Sequence, residues 1–433
     1  MNISIQLTVL YCTLVVQSIF YIYVARDLGP QSFGEYTLVN TIVLLTVVTT
    51  ASGLKEYLLK IAAKKPGSSY YILYTACKPI VFAIGIASFL VIAATFYFIN
   101  ATYMSILIPL LFSGITSALG KLLDPAIYAH NRGTQLSYIS ILANILSVFL
   151  FFCLRLKISP VQSLAYSTFS LEIILFVFKE YIFFKILRRS KINIPSRSLV
   201  NNISFHQLRK YCYHASQIFI KSVRLSFSAI CVSSYMYIDR IFIGIMLTSA
   251  DLAAYAVAVR VCDLLFLPST TFISNHSPLL ISDFKNLFKS TTVDVTKNVE
   301  LQSLLRKNFL LALVVMLAAI TFGPFLLNSL LGQSYSTSSI LLVLLLPSVI
   351  IVAMGNSSYV LLLATKKSKT ISSRSFAGAI SNLALTPLLL NSMGIYGAAF
   401  ATIISYLISI AYPYLLARDH EFSKLYRQSL FPF

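Results

Sequence analysis

Apolar side chains run along this chain in blocks of about twenty, separated by short gaps that hold most of its charge. A helix crossing roughly 30 Å of hydrocarbon needs about 20 mostly apolar residues. Blocks of that kind lie at 3–25, 36–59, 73–98, 103–123, 135–154 and 160–183, and after a polar stretch at 215–237, 252–277, 309–331, 338–363, 372–391 and 394–416. The pattern predicts an all-α polytopic membrane protein with twelve transmembrane helices in two six-helix lobes around a central cavity. The N-terminal lobe is expected over 1–183 and the C-terminal lobe over 215–416. A basic inter-lobe loop at 184–214 and a tail at 417–433 complete the division.

Charge in the gaps alternates. Lys60, Lys64 and Lys65 follow the second block, Lys121 and Arg132 the fourth, and Lys185, Arg188, Arg189, Lys191, Arg197, Arg209 and Lys210 the sixth. Lys285, Lys289, Lys297, Arg306 and Lys307 follow the eighth block, Lys366, Lys367, Lys369 and Arg374 the tenth, and Arg418, Lys424 and Arg427 the last. The intervening gaps hold only Arg26, Arg155, Lys157 and Arg240. Basic loops stay on the cytoplasmic side, so the alternation predicts an even number of spans and both termini in the cytoplasm. The stretch SFHQLRKYCYHASQIF, 204–219, has the pattern of a short amphipathic helix at the headgroups.

Composition supports this picture. Of 433 residues 57% are hydrophobic and 11% charged, against about 25% charged in a typical soluble domain, and mean hydropathy is +0.80. The net charge of +20 lies between apolar blocks instead of along a groove, which fits an anionic leaflet and not nucleic acid. Cysteines 12, 77, 153, 212, 231 and 262 show no CxxC spacing and are expected to pack as small hydrophobes. The first block lacks a basic n-region and is expected to be a retained span. No phosphate-binding loop, HExxH, clustered metal ligand set or nucleophile triad occurs. Neither an enzyme nor a metal or cofactor site is expected.

Ionisable groups within the blocks are costly, Arg at a helix centre by about 2.5–3.5 kcal/mol on insertion scales. Lys221 and Arg224 share one face of the seventh block, with Lys221 near enough to the cytoplasmic end to snorkel. Arg260 and Asp263, three apart, are placed to satisfy each other across a turn or to serve a cavity. Glu172 has no basic neighbour one turn away and needs a partner on another helix, for which Arg224 is a candidate. Asp239 and Arg240 close the seventh block, where an interfacial role is expected. Cations in a cavity lower the desolvation cost of an anionic substrate, so Arg224, Arg260 and Lys221 are candidate substrate-cavity residues. Glu172, Asp263 and Asp124 are the candidate ion or gating acids.

Three stretches carry a family likeness. ARDLGPQSFGEYTLVNTI at 25–42, YIDRIFIGIMLTSADLAAYAVAVRV at 237–261 and LLGQSYSTSSILLVLLLPSVI at 330–350 resemble motifs of the bacterial flippases that move O-antigen and capsule repeat units. Those flippases share a superfamily with the multidrug and toxic-compound extrusion transporters. The resemblance marks Gly29, Gly34, Tyr36, Asp239, Gly244 and Tyr255 as fold positions. Ala254 stands where the family often has glycine. What the resemblance implies is a polyprenyl-pyrophosphate-linked oligosaccharide carried from the cytoplasmic to the periplasmic leaflet of the inner membrane by alternating access, in lipopolysaccharide or other polysaccharide biosynthesis. Membrane lipids, the glycan polymerase and the chain-length machinery would be its partners. An ion-coupled multidrug or metabolite antiporter of the same fold is the alternative.

Replacing Arg224 by alanine is expected to lower export of lipid-linked glycan without loss of protein from the membrane. Normal surface glycan in an Arg224→Ala strain would overturn that role.

Overall fold

The computed structural model describes residues 3–64, 68–99, 104–130, 132–189, 227–228, 230–289, 299–365, 367–415 and 420–431. The regular structure of these residues is helical. In chain order the helices are α1 (Ile3–Lys64), α2 (Ser68–Ile99), α3 (Met104–Lys121), α4 (Asp124–Ala129), α5 (Gly133–Arg155) and α6 (Pro160–Arg189). Then come α7 (230–246), α8 (Ser249–Lys289), α9 (Val299–Leu331), α10 (Ser336–Leu345), α11 (Pro347–Ala364), α12 (Ser368–Met393), α13 (Ile395–Leu415) and α14 (His420–Leu430).

The protein is an all-α polytopic membrane protein. Among the described residues, seven helical stretches are long and apolar enough to cross a membrane: Cys77–Ala94, Met104–Tyr128, Gly133–Arg155, Val299–Leu331, Pro347–Ala364, Lys369–Met393 and Ile395–Leu415. The blocks at 3–25 and 36–59 form the two arms of α1, those at 160–183 and 252–277 lie in α6 and α8, and most of 215–237 falls outside the described residues. The 338–363 block is two helices, α10 and α11, divided before Pro347, because proline supplies no N–H to the preceding turn and fits best at a helix start.

Packing divides the chain into two compact units, one of Met1–Val16 and Val39–Ile230 and the other of Gln17–Leu38 and Cys231–Phe433. In the first, α6 lies along α3 and α5, and α2 along α3. In the second, α8 packs on α9, α10 and α11, and α12 pairs with α13. The amphipathic α14 docks on α11 and α13, where the Tyr426 hydroxyl donates to Ile410 O at 2.8 Å. Tyr426 lies beyond the apolar spans, and burial pushes its phenol above the usual range.

Residues 17–38 owe their place in the second unit to two glycines. Gly29 has φ 74° and ψ 164°, a conformation open essentially to glycine alone, and it breaks α1 just before Pro30. Gly34 is helical, and a Cβ there would lie 1.8 Å from Ser249 O at the start of α8. Backbone therefore meets backbone at this crossing.

Because the obstructing atom at Gly34 is a main-chain carbonyl, Gly34→Ala has to displace α8 itself. Gly29→Ala meets open space and carries only the backbone strain of a positive-φ, extended-ψ conformation, about 1–3 kcal/mol. Thermal unfolding of the purified protein should show the larger Tm loss for Gly34→Ala; the reverse order would contradict the close crossing.

Candidate functional site

In the second unit the site begins with the turn between α7 and α8. Thr248 and Asp251 cap α8 reciprocally: Asp251 Oδ2 accepts from the Thr248 hydroxyl at 2.6 Å and its N–H at 3.2 Å, while the Asp251 N–H donates to Thr248 Oγ1 at 3.2 Å. The cap fixes where α8 starts and sends Tyr255 back towards the end of α7. Its hydroxyl donates to Asp239 Oδ2 at 2.5 Å. Thr402 on α13 lies 3.2 Å from the same oxygen and 3.1 Å from the Tyr255 hydroxyl. Asp239 Oδ1 accepts the Arg240 N–H at 2.7 Å. Asp239 is only 2% exposed, so the interfacial role expected for it gives way to that of a buried acceptor. Three donors from two neighbouring helices and its own turn replace its lost water.

Arg240 is corrected in the same way. Its guanidinium lies over the Tyr237 ring, 5.4 Å from the centroid, and Arg260 lies 5.6 Å over the Tyr21 ring. The Nε atoms of both arginines are buried without a hydrogen-bond partner among the described residues. Asp263 lines the same small cavity as Arg240, and the expected Arg260–Asp263 pair is not closed by an ion pair among the described residues. Asp239, Arg240, Tyr255, Asp263 and Thr402 line one small cavity of about 20 Å³, enough for a water molecule.

The first unit holds a separate charged cluster. Asp124 at the start of α4 meets Lys179 Nζ of α6 at 2.8 Å and Lys55 Nζ of α1 at 3.7 Å. Glu172 lies two turns before Lys179, and its electrostatic neighbours are Lys179 and Lys121. Lys121 lies on another helix, α3, while Arg224, the candidate partner, lies outside the described residues. On the next position of α6, Glu180 accepts from the Tyr74 hydroxyl and from Lys78 Nζ at 2.9 Å. Lys78 Nζ lies 5.4 Å over Phe176. Lys221 and Arg224 lie outside the described residues.

The fold-marking positions converge within the second unit. Tyr335 donates its hydroxyl to Ala25 O at 2.7 Å, and Arg26 Nη1 donates to Leu330 O at 3.1 Å. A Cβ at Gly244 would lie 2.6 Å from Leu38 Cδ1. Tyr36 is buried and stacks on Phe33, centroids 6.4 Å apart. Sequence reasoning missed Tyr335, Thr402, Arg240, Lys55 and Lys179 as partners. Only Lys179 left a signal, being seven residues from Glu172 and therefore on the same helical face. Among the described residues no group of three or more His, Cys, Asp or Glu is placed to hold a metal.

Tyr255→Phe removes the shortest bond to a buried carboxylate and should destabilise the protein by about 1–3 kcal/mol. An unchanged Tm in detergent would show that Asp239 does not need this donor.

A family model described as polysaccharide biosynthesis protein matches residues 1–267. Among curated protein sequences none matches the chain. Several solved structures share its fold at low identity. The lipid II flippase MurJ in an inward closed conformation is 13% identical, with a TM-score of 0.73 and coverage of 98% of this chain and 90% of that one. An inward-facing multidrug resistance MATE family transporter of the MOP superfamily is 14% identical, with a TM-score of 0.69 and coverage of 96% and 94%. A MOP superfamily transporter from Pyrococcus furiosus, described as having reversed polarity in its binding pocket, is 13% identical, with a TM-score of 0.62 and coverage of 95% of each chain.

Proposed function

The chain belongs to the polysaccharide biosynthesis protein family and has the fold of the MOP superfamily of transporters, and from that premise we propose that it is a flippase for a polyprenyl-pyrophosphate-linked oligosaccharide. It is a transport protein, not an enzyme. The reading extends to twelve spans in two six-helix lobes, 1–183 and 215–416, joined by a cytoplasmic loop at 184–214 and followed by a cytoplasmic tail at 417–433. The cargo crosses the bacterial inner membrane by alternating access, its sugars and phosphates inside the protein and its polyprenyl tail in lipid.

One observation beyond the family match carries this reading. Two guanidiniums, Arg240 and Arg260, stand on tyrosine rings with buried Nε donors that no acceptor among the described residues satisfies. A guanidinium with spare donors suits a phosphate, which accepts through several oxygens at once. Lys221 and Arg224, outside the described residues, are the further candidate cavity cations of this reading. The antiporter alternative draws on the likeness to the MATE transporter and needs a free acid to carry its ion. Asp124, however, is held by Lys55 and Lys179, and Glu172 sits beside Lys121 and Lys179. The pairing of Asp124 supports the flippase reading.

Reconstituted into vesicles, the protein should move a fluorescent polyprenyl-diphosphate oligosaccharide between leaflets, and cells lacking it should accumulate the lipid-linked intermediate on the cytoplasmic side. Efflux of a cationic dye without any change in that intermediate would overturn the assignment in favour of the antiporter.

A further inference from the structure

We propose that α14 is an interfacial helix whose outward face, marked by Lys424 and Arg427, binds the headgroups of anionic phospholipids. The inference concerns the end of the chain and does not depend on what the protein carries.

Depth comes first. Residues 416–419 alone separate α13 from α14, and a connection of that length reaches at most about 18 Å, so α14 stays at the end of the spans. Its inward side chains fix how high it sits. The Tyr426 hydroxyl donates to Ile410 O, in the last two turns of α13, and Ser429 and Leu430 line a small gap with Asn308 of α9 and Ala353 and Ser357 of α11. Those partners lie inside the apolar stretches Val299–Leu331, Pro347–Ala364 and Ile395–Leu415. The helix is therefore level with the last turns of the spans, beside the headgroups, instead of hanging below them in water.

Its two sides differ as an interfacial helix requires. Tyr426 and Leu430 are buried in an apolar cluster with Leu280 and Phe284 of α8 and Leu301 and Leu305 of α9. Lys424 and Arg427, three apart and so on one face, are exposed, and Phe431 just beyond the helix is 58% exposed. Lys285 of α8 and Arg306 and Lys307 of α9, within two positions of residues in that cluster, are exposed as well. The acids of these helix ends are Asp283 and Glu300, and α14 itself has one, Glu421, in its opening turn. Positive charge thus predominates around the rim of the cluster. Each basic residue close to an anionic membrane surface enriches anionic lipid about fivefold.

The test exploits the absence of tryptophan from the sequence. Phe431→Trp places a single fluorophore at the end of α14 in the full-length protein. This variant is reconstituted into phosphatidylcholine vesicles that carry equal small fractions of either brominated phosphatidylglycerol or brominated phosphatidylcholine, whose bromines quench on contact. Quenching by the anionic lipid should exceed that by the neutral lipid about twofold, and the excess should shrink at high salt. In the same background Lys424→Gln with Arg427→Gln should bring the two lipids to parity. Should the double variant not reconstitute, each lysine or arginine is neutralised singly, and each change should lower the excess part-way. Equal quenching by both lipids before any neutralisation, or an excess that survives it, overturns the proposal. Quenching by neither lipid would put α14 away from the membrane and overturn it equally.

Discussion

A carboxylate shut away among apolar helices is tolerable only where donors surround it. Asp239 meets that condition through groups far apart in sequence: a tyrosine 16 residues on and a threonine 163 residues on. Satisfying one charge thus ties α7, α8 and α13 together at a single point. The turn between α7 and α8 is built to allow it, since the Thr248–Asp251 cap fixes the register that aims Tyr255 backwards. Hydrophobic packing between helices in lipid is weakly directional, because lipid tails compete for the same surfaces. A buried acceptor with a fixed set of donors supplies the direction.

The first unit reaches the same end with different side chains. Asp124 and Glu180 are each held by lysine, and Glu180 by a tyrosine hydroxyl as well. Its cations are ammonium groups on flexible stems, which adapt to an acceptor. Arg240 and Arg260 of the second unit present planar forks instead, set over tyrosine rings, with buried Nε donors that have no partner among the described residues. The two clusters thus differ in the chemistry of their cations more than in the number of their charges.

Much of the fold was legible from the sequence. Block length gave the helices, and Pro347 and the Gly29–Pro30 pair mark breaks that follow from backbone chemistry alone. The family motifs singled out Asp239 and Tyr255, which turn out to be bonded. What escaped was lateral register. Arg240 sits at the end of an apolar block, where a cation ordinarily reaches for headgroups, and nothing local says that Tyr237 and Asp263 draw it inward. The three-residue spacing of Arg260 and Asp263 suggested a closed pair, whereas a ring from α1 takes part as well. Glu172 comes near Lys121 of α3, a proximity that depends on how two helices slide past each other and leaves no trace in either one alone.

The affiliation of residues 17–38 has a consequence for how the molecule can be divided. The chain passes from one compact unit to the other after residues 16, 38 and 230, so three covalent crossings join them where the sequence advertises a single basic linker. A cut within that linker would leave neither product whole: the leading fragment would carry a helical strip whose backbone neighbour is the start of α8, and the trailing fragment would lack that strip. The boundary that a gene-level dissection would choose is therefore not the boundary along which the protein is built.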